Sequence, residues 1–101
     1  MMRYGIAAVL GFALLPASAH DDDEIVFTQA SELLPWCRAE AEAHYVGRGV
    51  TPYQWTGRYY DRSNVLYVEG RLRAGGKDVE VRCRVARDAR ERYAVIEIDD
   101  P

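Results

Sequence analysis

Three residue types that carry much site chemistry are scarce in this chain of 101 residues: it has two cysteines, two histidines and a single lysine, Lys77. No Cys-x-x-Cys pair, zinc-ligand spacing, phosphate-binding loop, dinucleotide fingerprint or Ser–His–Asp arrangement occurs. The carboxylates form no acid–base pair that spacing supports. Glu40 and Glu42 leave a helix in different directions, and Glu69 and Glu80 read as partners of neighbouring arginines. No enzyme and no cofactor are expected on these grounds. Basic charge is also short, 13 Lys and Arg against 16 Asp and Glu, for a net charge of −3. Acids interrupt the arginines, so the pattern is not a nucleic-acid footprint. The longest apolar run, Ile6 to Leu15, falls short of the roughly 20 residues of an ordinary membrane span.

That run instead reads as the core of an export signal. Arg3 supplies a positive start, and Ala17-Ser18-Ala19 supplies a small-residue cleavage site. Residues 1–19 are therefore expected to be a signal peptide. Residues 20–101 are expected to form one compact domain with an acidic N-terminal tail, periplasmic or secreted and free of the membrane once processed. Acid gathers at both ends, in Asp21 to Glu24 and in Glu97, Asp99 and Asp100. Between Arg38 and Arg92 the balance reverses, with 12 bases to 8 acids. Such asymmetry can guide a charged partner, and it is equally the habit of an ordinary solvated surface.

Along the domain the hydrophobic period changes once. Ile25, Val26 and Phe27 are placed along a sheet edge. Leu34, Cys37, Ala41 and Tyr45 recur at helical spacing, flanked by Leu33 and His44, and predict a helix over Ser31–Val46. Pro35 fits best in its first turn. Gly47 and Gly49 stop it, and Pro52 closes the loop that follows. Beyond this point the period is two. Strands are expected at Tyr53–Tyr60, Val65–Ala74, Asp78–Ala86 and Arg92–Ile98, with turns at Asp61–Asn64, Gly75-Gly76 and Arg87–Glu91. Leu66, Val68 and Leu72, then Val79, Val81, Cys83 and Val85, then Ala94, Ile96 and Ile98 share one side. The other side is charged. A sheet with one apolar face needs a cover, and the helix is the available one. The expected fold class is α+β, one helix packed on a four-stranded antiparallel meander.

Cys37 lies on the inward stripe of the helix and Cys83 on the inward side of the third strand. In an oxidising compartment two thiols facing one narrow core pair as a structural disulfide. Closing a loop of roughly 46 residues stabilises by about 4 kcal/mol on chain-entropy grounds. Neither cysteine has a histidine or lysine beside it in its element to suggest a reactive thiol instead. His44 stands two turns from Cys37.

The remaining candidates concern binding. His20, as a mature N-terminus, offers an amine and an imidazole to Cu²⁺, with His44 as the other histidine. No metal site is expected, and these two residues are its only candidates. Aromatics crowd the first two strands: Tyr53, Trp55, Tyr59, Tyr60 and Tyr67. Tyr53, Trp55, Gly57 and Tyr59 share one side of the first strand, and Gln54, Thr56, Arg58 and Tyr60 the other. If the Trp55 side faces the helix it is core, and Tyr60 and Tyr67 lie outside. If it faces outward, Trp55, Tyr59 and Tyr67 form a patch near Arg71. Tyrosine, tryptophan and arginine commonly anchor protein interfaces. The candidate interface residues are Trp55, Arg58, Tyr59, Tyr67 and Arg71, although Arg58 and Trp55 lie on opposite sides of their strand.

Cys37-Arg38-Ala39-Glu40-Ala41 on the helix and Val81-Arg82-Cys83-Arg84-Val85 on the third strand carry a resemblance. The chain resembles a loose class of small exported proteobacterial proteins, in which a signal peptide precedes a helix with one cysteine and an antiparallel meander with another. The resemblance implies no catalytic residues. The expected function is a small periplasmic accessory or protein-binding module, an inhibitor or immunity-type protein being one concrete form. The expected partner is a periplasmic protein, or a second copy paired along an exposed sheet edge. The competing expectation is metal or small-ligand binding through His20 or His44.

Overall fold

The computed structural model describes residues 24–100. The expected signal segment, His20 and Asp21 to Asp23 lie outside the described residues. The element order is β1 (Val26–Phe27), α1 (Ala30–Val46), β2 (Gln54–Arg62), β3 (Val65–Ala74), β4 (Lys77–Ala86), β5 (Ala89–Arg90), a 3-10 turn (Glu91–Tyr93) and β6 (Val95–Asp99). β2-β3-β4-β6 form one antiparallel sheet in that order, and β1 pairs with β5 in a separate two-stranded ribbon. The fold is α+β, one helix on a four-stranded meander.

The helix starts at Ala30, just beyond Gln29, its N-cap. The Glu32 carboxylate accepts the backbone N–H groups of Thr28 (2.7 Å) and Gln29 (3.2 Å), donors that the first turn leaves without helical partners. Those two bonds hold its pKa below the usual carboxylate value. Pro35 thus falls at the sixth helical position rather than in the first turn, where the sequence placed it. It gives up one intrahelical bond, and the packed inner face holds the helix across the gap. That face is Ala30, Leu33, Cys37, Ala41 and Tyr45. Leu33, not Leu34, is the fully buried leucine, and Leu34 packs at the margin.

Two hairpins fix the sheet. Ser63 (φ 52°) and Asn64 (φ 63°) make one two-residue turn, Gly75 (φ 61°) and Gly76 (φ 80°) the other. Positive φ at both central positions is the hairpin turn whose twist matches the strands. Arg62 therefore pairs with Val65, and the register runs to Gln54 opposite Arg73. The first strand is consequently longer than expected, reaching Arg62, because the turn takes two residues instead of four. The last strand is shorter. Its expected start at Arg92 is a 3-10 turn, since Ala89 and Arg90 pair with β1 and the chain must bend back to join β4. Within this ribbon the Asp88 N–H donates to the Phe27 carbonyl (2.7 Å) and the Glu91 N–H to the Ile25 carbonyl (2.8 Å). Phe27 is driven into the core, edge-on to Trp36, whose indole N–H donates to Glu91 (2.7 Å).

The core lies between the helix and the inner sheet face, formed by Leu66, Val68, Leu72, Val79, Val81 and Val85 with the helical stripe. Cys37 and Cys83 meet there as a disulfide, with a Cα–Cα separation of 6.0 Å and a sequence separation of 46. The bridge joins helix to sheet near the middle of the core, as the two periodicities require. At the far end, the Tyr45 hydroxyl donates to Asp100 (3.0 Å), and the same carboxylate pairs with Lys77 (2.6 Å). Burial, then the bond to Asp100, pushes the Tyr45 pKa up to about 12. Lys77 and Tyr45 in turn hold the Asp100 carboxyl below its ordinary value.

Candidate functional site: the outer face of the sheet

Register decides which side of β2 is core. Trp55 pairs with Leu72, Gly57 with Gly70 and Tyr59 with Val68, so this set faces the helix. Trp55 lies over a floor made by the two cross-strand glycines. A Cβ at Gly70 would come within 2.3 Å of its indole, and one at Gly57 within 2.9 Å of both Leu34 and Trp55. Two larger residues here would lift the indole off the sheet, which is the physical reason for the paired glycines. Tyr59 extends from the same side at the margin and is half exposed.

The five candidate interface residues are therefore divided. Trp55 and Tyr59 are on the helix side; Arg58, Tyr67 and Arg71 are brought together on the outer side. A flat patch combining Trp55 with Tyr67 is ruled out by alternation along the strands. The outer face gains two residues that the candidate set omitted. Tyr60 is directly opposite Tyr67, and their rings stack with centroids 5.0 Å apart and planes 15° apart. The Arg58 and Arg62 guanidiniums lie 5.8 and 5.7 Å from the Tyr60 ring centroid, one on each side along the strand. The two-residue turn at Ser63-Asn64 carries the signal that finds this cluster, since it alone sets Tyr60 against Tyr67.

Around that stack the outer face is a lattice of alternating charge. Arg58 pairs with Glu69, whose other oxygen accepts the Tyr60 hydroxyl (3.0 Å). Those two donors hold the Glu69 carboxyl below its usual pKa, and the bond to Glu69 raises that of Tyr60. Arg71 reaches Glu80 (3.4 Å), Arg73 reaches Asp78 (2.9 Å), and Glu97 takes both Arg82 (3.4 Å) and Arg84 (3.7 Å). Arg73 also donates to the Tyr53 hydroxyl (2.8 Å). Exposed pairs of this kind add little stability each. Their effect here is to hold long side chains in fixed positions. A shallow concavity of about 500 Å³ lies between the rows formed by Thr56, Arg71 and Glu80 and by Arg58, Glu69 and Arg82. Three guanidiniums and two carboxylates already paired leave little net charge there to hold a small anion.

Charge is graded across the face. The outward side chains of β2 include Arg58 and Arg62 and no acid; those of β6 include Glu97 and Asp99 and no base. The inner histidine candidate behaves differently. His44 is half-buried and edge-on to Tyr45, with ring centroids 4.9 Å apart. Among the described residues no group of three His, Cys, Asp or Glu side chains is placed to hold a metal ion. No helix of the described residues is long and apolar enough to cross a membrane. Comparison with protein-family models, curated proteins and solved structures finds no match for this chain.

Proposed function

We propose that this chain is an exported, non-catalytic protein-binding module of the periplasm or the cell exterior, and that it engages its partner through the outer face of β2 and β3. The observation that carries the reading is the stacked Tyr60–Tyr67 pair framed by Arg58 and Arg62. Aromatic rings and guanidiniums bury large area at small entropic cost when already ordered, and they dominate interface energetics. The helix–sheet disulfide supports the export part, because such bonds persist in oxidising compartments. An inhibitor or immunity-type protein fits this description: a rigid small scaffold presenting one pre-arranged face.

The test is chemical cross-linking of the tagged, processed protein in its native periplasm, followed by mass spectrometry. One reproducible heterologous partner is expected, retained by the Ala43→Gln variant on the exposed side of the helix, and lost in the Tyr60→Ala/Tyr67→Ala variant. Capture that survives the loss of both tyrosines contradicts the assigned face. Self-links alone, or no specific links from folded protein, contradict the proposed function.

A further inference from the structure

Among the described residues, β2 is an outer strand of the sheet with its far edge unpaired. It runs nine residues with no proline and no lysine, and β3 is its only strand neighbour among the described residues. Its pairs with β3 are continuous from Gln54 to Arg62, so no bulge interrupts it. Natural sheets often protect such edges with proline, lysine or a bulge; the charges β2 does carry are Arg58, Asp61 and Arg62. In a two-residue hairpin the closing pair is hydrogen bonded, and bonded and non-bonded pairs then alternate. From Arg62–Val65 outward, the bonded positions are Arg62, Tyr60, Arg58, Thr56 and Gln54. The N–H and C=O groups of Trp55, Gly57, Tyr59 and Asp61 therefore point away from the sheet. No backbone bond from another described element reaches these four residues.

From this geometry we propose that the β2 edge takes an extended segment of another protein by strand addition, and that the segment alternates apolar with acidic side chains. The inference rests on the protein-binding reading and specifies how that face is engaged. Alternation dictates the sequence of the guest. Its side chains on the outer side meet Arg58, Tyr60 and Arg62, with no outward acid on β2 to compete. Those on the inner side meet Trp55, Gly57 and Tyr59 beside Leu34, with Asp61, held by Arg87, at the turn end. The fold already contains this chemistry at its opposite edge. There β6 reads Ile96-Glu97-Ile98-Asp99 beside β4, its isoleucines packed against the core and its Glu97 bonded to Arg82 and Arg84.

A second copy is a poorer guest. Two β2 strands side by side collect four guanidiniums, Arg58 and Arg62 of each, on the outer side, where neither strand carries an acid. A neighbouring β6 has only five residues and leaves free edge-facing backbone groups only at Ile96 and Ile98, against four such residues on β2. Such a pairing is head-to-tail and has no inherent closure.

The experiment uses a capped nonapeptide alternating valine and glutamate, with a valine–lysine peptide as control, and follows amide hydrogen exchange of the folded, oxidised protein by NMR. Saturating glutamate peptide is expected to slow exchange at Gly57, Tyr59 and Asp61 by about tenfold or more. The amides of Arg58 and Tyr60, already bonded within the sheet, are expected to change little. The lysine peptide is expected to protect none. The Tyr59→Pro variant removes one outward N–H without breaking the β2–β3 ladder and is expected to lose binding. Should that variant fold poorly, Thr56→Glu/Arg62→Glu reverses the outer charge of β2 without touching the Arg58–Glu69 pair, and is expected to weaken binding about tenfold. Absence of protection at the outward amides overturns strand addition. If the peptide binds while only outer-face side chains shift, strand addition fails and the protein-binding reading stands. Concentration-dependent protection of the same amides in the protein alone overturns the choice of guest in favour of a second copy.

Discussion

An added methyl group at Gly70 tests the packing that orients the sheet. Its Cβ would sit 2.3 Å from Cη2 of Trp55 and within 2.9 Å of two further indole carbons. Carbon atoms in contact sit about 3.5–4.0 Å apart, so the ring must lift by more than about 1 Å. β3 is held on both sides by β2 and β4 and cannot retreat. Overpacking of this kind costs about 1–3 kcal/mol, against which about 0.5–1 kcal/mol is regained because alanine is better than glycine within a strand. Gly70→Ala is therefore expected to lose about 1–2 kcal/mol, or about 5–15 °C in melting temperature for a domain of this size. The assay is urea unfolding of the oxidised protein followed by far-ultraviolet circular dichroism, in the wild-type and Trp55→Ala backgrounds. In the second background the methyl meets no ring, and the substitution is expected to be neutral or stabilising. An equal loss in both backgrounds would refute the indole contact as its cause. No loss in the wild-type background would place Trp55 elsewhere altogether, and with it the orientation of β2. Gly57→Ala is expected to cost less, because the flexible end of Leu34 is among its nearest neighbours and β2 is an edge strand.

Three other outcomes follow from the same structure. Reducing the Cys37–Cys83 bond releases a loop of 46 residues and is expected to remove about 4 kcal/mol, so that the melting temperature falls by well over 10 °C; an unchanged transition would mean that the bond contributes nothing. Tyr45 is a tyrosine whose pKa is raised on folding from 10.0 to about 12, so its neutral form is favoured in the native state; its contribution is fully present below pH 10 and is lost as pH rises towards 12. Tyr45→Phe is expected to lose about 1 kcal/mol at neutral pH and to flatten that alkaline decline, and an identical decline in the variant would assign it to another group. Trp36→Phe keeps the contact with Phe27 and removes the bond to Glu91; a loss of about 1 kcal/mol in urea unfolding is expected, and no loss would show that this bond does not help to hold the 3-10 turn.

Much of the fold was legible because two periods, 3.6 and then 2, follow each other without mixing. Cys37 and Cys83 each fell on an inward stripe by spacing alone, and their pairing needed only the compartment. The orientation of β2 stayed open because both of its sides carry aromatics, Trp55 and Tyr59 on one and Tyr60 on the other. Reading Asp61–Asn64 as a four-residue turn hid the answer. A two-residue turn at Ser63-Asn64 pairs Trp55 with Leu72 and decides the question at once. The β1–β5 ribbon was beyond reach for a different reason. Two residues at each end of a long separation have no periodicity to detect, and Ile25, Val26 and Phe27 declare only that they are apolar. Glu32 was a missed signal of another sort. As the third helical residue it accepts the backbone donors just before the helix, so it marks a start at Ala30 despite Pro35.

The proposed function requires that the outer face of β2 meet another protein. A photo-cross-linking amino acid placed at Thr56, on that face, and separately at Ala43, on the exposed side of the helix, measures this directly in living cells. One heterologous adduct is expected from position 56 and none from position 43. An adduct from position 43 alone, or equal yields from both, would contradict the proposed function.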